Sequence, residues 1–144
     1  MAATDPHGSA GTPVSVLLVD DEPLVRLFCA EILEDEGSAI LEAGSADEAL
    51  QVLEARTDVL ILFSDINMPG PDGLELARRV HDRWPAIAVA LTSGTAQVGP
   101  DEVSRGGRFI PKPYGRDIVV ATMRALAAPP RQGVRTAMGT DVRG

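Results

Sequence analysis

The fold is decided by Asp58-Val-Leu-Ile-Leu-Phe-Ser-Asp-Ile-Asn-Met-Pro-Gly-Pro-Asp-Gly73. Five apolar residues in a row, 59–63, are typical of a strand that is buried on both faces in a parallel sheet. The run ends at Ser64 and Asp65, and the prolines and glycines that follow are incompatible with a continuing strand. The Asp65 carboxylate therefore stands at the carboxyl end of a central strand, where open α/β sheets bind their ligands. We predict that Asp65 is the reactive group.

Strand-like and helix-like patterns alternate along the rest of the chain. Besides the central run, strands are predicted at residues 14–19, 38–42, 86–91 and 109–110. Helices are predicted at residues 23–37, 45–56, 73–84 and 118–127, the second of them starting at a Ser45 capping box. This alternation predicts an α/β fold, with a doubly wound parallel sheet of five strands and helices on both faces.

The connection between the fourth and fifth strands departs from this alternation. Residues 92–107 contain four glycines and a proline, and only residues 101–105 have a composition that suits a helix. We therefore predict that the fourth helix is short or missing.

The size and charge of the chain restrict its function. With 144 residues it has the length of one domain, which we place at residues 14–128, between a disordered leader (1–13) and a flexible tail (129–144). A net charge of −8 argues against a nucleic-acid-binding surface, and neither a membrane span nor a signal peptide is predicted. The single cysteine, Cys29, suits a cytoplasmic protein and is interpreted as a packing residue.

Polar residues follow four of the five predicted strands. Asp20 and Asp21 follow the first, Asp65 the third, Thr92 the fourth and Lys112 the fifth. Because the carboxyl ends of parallel strands share one edge, these groups are expected to converge there. Three carboxylates held together need a cation, and an all-oxygen cluster suits Mg²⁺. Transfer of a phosphoryl group onto a carboxylate needs a nucleophile, a metal ion and donors to the phosphoryl oxygens. Lys112 and Thr92 would supply those donors.

Each of these residues also has an ordinary interpretation. An aspartate after a strand is commonly a turn former or a helix cap, so Asp65 alone would indicate little. Asp20 and Asp21 would serve equally as a cap of the first helix, and Lys112 between two prolines as a solvated loop residue. Their coincidence at one predicted edge favours the functional interpretation.

Together these motifs resemble the receiver domain of bacterial two-component response regulators, of the alphaproteobacterial single-domain or hybrid-kinase type. The resemblance covers about residues 14–127 and rests on Asp20-Asp21, the segment from Ser64 to Gly73, Leu91-Thr92-Ser93, and Phe109-Ile-Pro-Lys-Pro113. It implies a flavodoxin-like fold with the strand order 2-1-3-4-5.

The resemblance also implies a role for each residue of the site. Asp65 would accept a phosphoryl group from a phosphohistidine on a histidine kinase or histidine phosphotransferase. Asp21, Asp65 and the main-chain carbonyl of Asn67 would bind Mg²⁺, Asp20 would act through water, and Lys112 would pair with the phosphoryl group.

Thr92 and Phe109 resemble the switch pair of the family, in which the phosphoryl group draws the threonine hydroxyl inwards and the aromatic ring follows. Phe109 is alternatively a plain core residue. Gly94, two residues past Thr92, offers no side chain to orient an attacking water, so phosphoryl lifetime is left open.

The leading hypothesis is a stand-alone receiver that is not an enzyme and acts on an unknown protein by docking, or as a relay or phosphate sink. One alternative is the receiver portion of a hybrid histidine kinase. Another is a Mg²⁺-dependent phosphohydrolase with an aspartyl nucleophile, which the amide of Asn67 disfavours because it stands where such enzymes place an acid. A last one is a receiver-like module that binds partners without phosphorylation.

Overall fold

The computed structural model describes residues 14–94 and 107–127. The predicted leader, the predicted tail and the predicted weak fourth helix concern residues outside these ranges. The described residues form five strands and four helices, which in chain order are β1 (Ser15–Val19), α1 (Pro23–Asp35), β2 (Ala39–Ala43), α2 (Ala46–Ala55), β3 (Val59–Asp65), α3 (Gly73–Arg83), β4 (Ala88–Ser93), β5 (Arg108–Pro111) and α4 (Arg116–Ala127).

All strand pairs are parallel, and the sheet has the order β2-β1-β3-β4-β5. This confirms the predicted doubly wound, flavodoxin-like fold. Helices α2 and α3 pack on one face of the sheet, and α1 and α4 pack on the other. The core is therefore two apolar layers separated by a sheet whose central strand is β3. No helix within the described ranges is long and apolar enough to cross a bilayer.

Strand β3 departs from its prediction at one residue. Leu60 is 52% exposed, although the apolar run predicted burial on both faces. The register with β1 passes from Ser15–Val59 to Val16–Ile61, which leaves Leu60 in a bulge, and pairing with β4 begins only at Ile61. Leu60 thus lies outside the part of β3 that has a paired strand on each side. The bulge in its pairing with β1 also turns the Leu60 side chain out of the core.

Strand β4 starts and ends two residues later than predicted. Thr92 is therefore not the first residue after the strand but part of it, paired in register with Asp65 on one side and Ile110 on the other. A β-branched residue suits this position in a pleated sheet. The pairing places the Thr92 and Asp65 side chains on the same face, next to each other.

Helix ends follow their sequence signals. Pro23 occupies the first turn of α1, and the Ser45 side chain accepts a hydrogen bond from the Glu48 N–H at 3.1 Å, as the capping box predicts. The Glu48 carboxylate reaches the N–H of Gly44 rather than that of Ser45. Helix α3 begins with the Asp72 side chain accepting from the Glu75 N–H at 2.9 Å.

Gly73, the first residue of α3, holds that helix against the end of β3. Its N–H donates to the Ile66 carbonyl at 2.9 Å. A Cβ atom at this position would lie 2.7 Å from the Ile66 Cα and even closer to the Asp65 carbonyl oxygen. Only glycine permits this approach, which keeps the loop after Asp65 tight against the sheet.

Candidate functional site

Three carboxylates meet at the carboxyl edge of the sheet. Asp20 and Asp21 follow β1, and Asp65 ends the adjacent strand β3. One oxygen from each residue lies within 4.8 Å of the others. Asp20 and Asp65 are buried and Asp21 is exposed, so the cluster opens to solvent on one side. The predicted convergence of the three acids is therefore present in the structure.

The interpretation of the first two acids as helix caps does not describe the structure. Glu22 is the N-cap of α1, and no side-chain hydrogen bond caps this helix. Asp20 instead accepts the Glu22 N–H at its Oδ1 atom, at 2.9 Å, just before the helix starts. Its remaining oxygen, Oδ2, faces the site.

Lys112 supplies the positive charge of the site. Its Nζ atom lies 3.5 Å from Asp20 Oδ2 and 3.5 Å from Asp65 Oδ1, and 3.9 Å from Glu22 Oε1. The lysine is anchored by its own N–H, which donates to the Ser93 carbonyl at 2.9 Å at the end of β4. One ammonium group thus serves two buried carboxylates and leaves the cluster with excess negative charge.

The environment of Asp65 makes its ionised form costly. Burial raises the pKa of this carboxyl above its ordinary value, Lys112 lowers it, Asp20 raises it, and the Asn67 N–H lowers it. That N–H donates to Asp65 Oδ1 at 3.3 Å. Burial is the largest of these effects, so the pKa of Asp65 is raised on balance. A cation bound at the cluster would lower this pKa and favour the charged, nucleophilic form of Asp65.

Thr92 carries a buried polar atom without a partner. The residue is 1% exposed, and its Oγ1 atom has no hydrogen-bond partner among the described residues. Leaving a buried hydroxyl unsatisfied costs about 1–3 kcal/mol. Since Thr92 is the register neighbour of Asp65, an oxygen added to Asp65 would find a donor there.

Asn67 and Ser93 connect the ends of β3 and β4. The Ser93 hydroxyl donates to Asn67 Oδ1 at 2.5 Å, and Ser93 is 2% exposed. The sequence analysis assigned no role to Ser93. Its position directly after Thr92 is the only signal that the sequence offers for it. Asn67 lies two residues past Asp65, so this bond ties the loop that follows Asp65 to the end of β4.

Phe109 does not join the acid cluster. It is half-buried against the apolar layer under α2 and α3, and its register partner is Leu91, not Thr92. The ring therefore lies on the opposite side of the sheet from the Thr92 hydroxyl.

Two neighbouring features border the site. A cavity of about 430 Å³ opens beside Lys112 and has a mainly apolar lining. The lining residues are Val25, Phe28, Gly94, Lys112, Pro113 and Tyr114. Cys29 is fully buried, and burial raises the pKa of its thiol to about 11, which fits its interpretation as a packing residue.

A comparison with protein families assigns most of the chain to one family. The family model described as "Response regulator receiver domain" matches residues 16–124. The chain belongs to this family. It is thus a receiver of the kind found in two-component signal transduction, and Mg²⁺ binds receivers at an aspartate cluster like the one formed here by Asp20, Asp21 and Asp65.

Two curated proteins are similar to this chain over part of their own length. The nitrogen assimilation regulatory protein NtrX of Azorhizobium caulinodans is 41% identical over 117 residues, which are 77% of this chain and 26% of NtrX. The sensor kinase CckA of Brucella abortus is 35% identical over 130 residues, 86% of this chain and 13% of CckA. The receiver therefore spans only a minor part of either curated relative.

The structure of the response regulator TrrA from Thermotoga maritima, solved in complex with Mg²⁺ and BeF, is also similar. It is 25% identical and superposes with a TM-score of 0.70, covering 78% of this chain and 98% of TrrA. This agreement over nearly the whole of a solved response regulator is consistent with the family assignment.

Proposed function

We propose that this receiver accepts a phosphoryl group on Asp65 from a phosphohistidine of a histidine kinase or histidine phosphotransferase. In this reaction an Asp65 oxygen attacks phosphorus, the P–N bond breaks, and the imidazole leaves. The observation that carries the proposal is the buried, unpartnered Thr92 hydroxyl beside Asp65. A hydroxyl that has no partner within residues 14–94 and 107–127 can donate to the oxygens of an added phosphoryl group.

The surrounding residues fit the remaining needs of this chemistry. Asp21, Asp65 and the Asn67 carbonyl are proposed to hold Mg²⁺, with Asp20 acting through water, and the ion supplies charge neutralisation for the transferred group. The all-oxygen donor set supports Mg²⁺ over a soft metal. Lys112, which already bridges Asp20 and Asp65, is proposed to pair with a phosphoryl oxygen.

The proposed output is a change of surface rather than a reaction on another molecule. Bonding of the Thr92 hydroxyl to the phosphoryl group would shift the end of β4, and Phe109 is half-buried on the neighbouring strand, where it can respond. The acidic net charge supports a protein target over nucleic acid. We further propose that the receiver acts in the cytoplasm, alone or as a relay or phosphate sink.

The donor protein is proposed to dock on α1. Leu24, Leu27 and Phe28 are 80%, 52% and 47% exposed on this helix, and Phe28 also lines the apolar cavity beside Lys112. An apolar face continuous with the phosphoacceptor edge suits a helical protein that presents a histidine to Asp65. The exposed acids Asp21 and Glu22 favour basic residues at the rim of that partner.

A receiver attached to a sensor kinase is the second candidate, because CckA matches over 86% of this chain. Transfer of the phosphoryl group from this receiver to a histidine phosphotransferase would favour a receiver that works in a relay with a sensor kinase. Release of phosphate without such transfer would favour a receiver that acts alone.

The proposal is tested by labelling with acetyl phosphate and Mg²⁺. Asp65→Asn is expected to abolish the acid-stable, hydroxylamine-sensitive label, whereas Asp58→Asn, an aspartate outside the acid cluster, should retain it. Equal labelling of Asp65→Asn and wild type would overturn the proposal. Sustained turnover of p-nitrophenyl phosphate would instead indicate a phosphohydrolase.

A further inference from the structure

Arg26 on α1 reaches the backbone beneath the acid cluster. Its Nη1 atom donates to the Asp20 carbonyl at 2.5 Å, and its Nε atom donates to Glu42 Oε1 at 2.9 Å. The Arg26 side chain is 22% exposed and its bond to the Asp20 carbonyl is part-buried, whereas its pair with Glu42, which is 46% exposed, lies at the surface. One planar guanidinium thus links the end of β1 to the end of β2.

The carbonyl that Arg26 binds belongs to the peptide between Asp20 and Asp21. The next peptide is also held, because the Glu22 N–H donates to Asp20 Oδ1 at 2.9 Å. Both peptide planes that flank Asp21 are therefore fixed by side chains. Arg26 fixes the first and the Asp20 carboxylate fixes the second.

Asp21 has no other means of orientation in the part of the chain that is described. Its carboxylate is exposed and makes no hydrogen bond or ion pair with residues 14–94 or 107–127. The backbone consequently sets the position from which this carboxylate extends. A residue that fixes the backbone therefore limits where the carboxylate can meet a cation.

Each polar atom of Asp20 has a partner in the same network. Its N–H donates to the Ala43 carbonyl at 3.2 Å, its carbonyl accepts from Arg26, and its two carboxylate oxygens face the Glu22 N–H and the Lys112 ammonium. Arg26 is the charged donor to the Asp20 carbonyl, so its removal leaves that carbonyl without this partner. Glu42 in turn keeps the guanidinium in position.

We infer that Arg26 is a positioning residue that sets the divalent-cation affinity of the acid cluster by locking the Asp20–Asp21 peptide. The inference rests on the proposed metal site and goes beyond it, because Arg26 donates to the Asp20 carbonyl and to Glu42 rather than to a carboxylate of the acid cluster. Loss of such a supporting contact weakens metal binding on the order of tenfold.

The test is calorimetric titration of the full unphosphorylated chain with Mg²⁺. Arg26→Gln is expected to raise the Mg²⁺ dissociation constant roughly tenfold, and Glu42→Gln to raise it less, because the bond to Asp20 survives. Arg56→Gln is the matched control, since it removes an exposed arginine–aspartate pair away from the cluster and should bind as wild type does. Phosphorylation by acetyl phosphate adds a second readout, in which Arg26→Gln needs more Mg²⁺ but recovers its rate at saturation.

The outcomes separate the two proposals. If wild type itself does not bind Mg²⁺, the metal site fails; if wild type binds and Arg26→Gln binds equally, the inference on Arg26 is overturned. Should Arg26→Gln not fold, Arg26→Lys decides, because a single ammonium cannot copy the fork. Wild-type affinity in Arg26→Lys would then contradict the inference, and weakened affinity at unchanged melting temperature supports it.

Discussion

At the scale of single residues, the site contains two unfavourable features that a phosphoryl group and a cation would relieve. Asp65 is buried beside a second carboxylate, and the Thr92 hydroxyl has no hydrogen-bond partner in the part of the chain that the structure describes. Neither feature stabilises the unmodified protein. Both make sense as preparation for added oxygens and added positive charge.

The Thr92 hydroxyl gives the first prediction. Thr92→Val keeps the shape of the side chain and removes an unsatisfied group, so the free energy of unfolding should stay level or rise by about 1 kcal/mol. Urea unfolding measures this in the unphosphorylated protein. Thr92→Ser, which keeps the hydroxyl, should retain the conformational response to phosphorylation that Thr92→Val loses. A large destabilisation by Thr92→Val would show that the hydroxyl has a partner after all.

The raised pKa of Asp65 gives the second prediction, for metal-free protein. The folded carboxyl keeps its proton to higher pH than the unfolded one, whose ordinary pKa is 3.8. Stability is therefore lost as the pH rises through the folded-state pKa. Compared with Asp65→Asn, which has no charge to bury, wild type should become relatively less stable over this range. Urea titrations across pH measure the difference, and the opposite trend would contradict the burial argument.

At the scale of elements, the close contact between β3 and α3 positions the site. Gly73→Ala should cost about 1–3 kcal/mol, because the added methyl meets backbone atoms of Asp65 and Ile66 that cannot move aside. It should also slow phosphorylation by displacing Asp65. Gly115→Ala is the control, since nothing lies within 4 Å of its Cβ position. Thermal unfolding compares the two, and equal melting temperatures would mean that the loop yields.

Helix α1 gives a prediction about the partner. Leu27→Glu should lower the rate of phosphotransfer from a phosphohistidine protein about tenfold, an effect of the size expected for a central apolar contact. Labelling by acetyl phosphate, which needs no docking, should not change. Leu60→Glu is a matched control, because Leu60 is also 52% exposed but lies at the opposite end of β3. Equal losses in both variants would place the docking face elsewhere.

At the scale of the whole molecule, the sequence predicted what depends on periodicity and topology. Apolar runs and helix caps located the elements, and parallel strand order brought Asp20, Asp65 and Lys112 to one edge. What it missed depends on local register and on side-chain partners. The bulge at Leu60 and the inclusion of Thr92 in β4 follow from pairing with neighbouring strands, which a single apolar run does not reveal.

The supporting residues were missed for a related reason. Arg26 reads as an ordinary surface residue of an amphipathic helix, and its two acceptors come from β1 and β2. Ser93 belongs to the Leu91-Thr92-Ser93 motif, but its partner Asn67 lies on the loop after β3. Such bonds are set by tertiary arrangement, so spacing along the chain carries no signal for them.

Chemical trapping tests most directly whether Asp65 accepts the phosphoryl group. Borohydride reduction of the phosphorylated protein converts an aspartyl phosphate to homoserine, and peptide mass spectrometry then locates the modified residue. We predict homoserine at position 65, with Asp20 and Asp21 unmodified. Homoserine at position 20 or 21, or a phosphoryl group on a residue other than aspartate, would contradict the account.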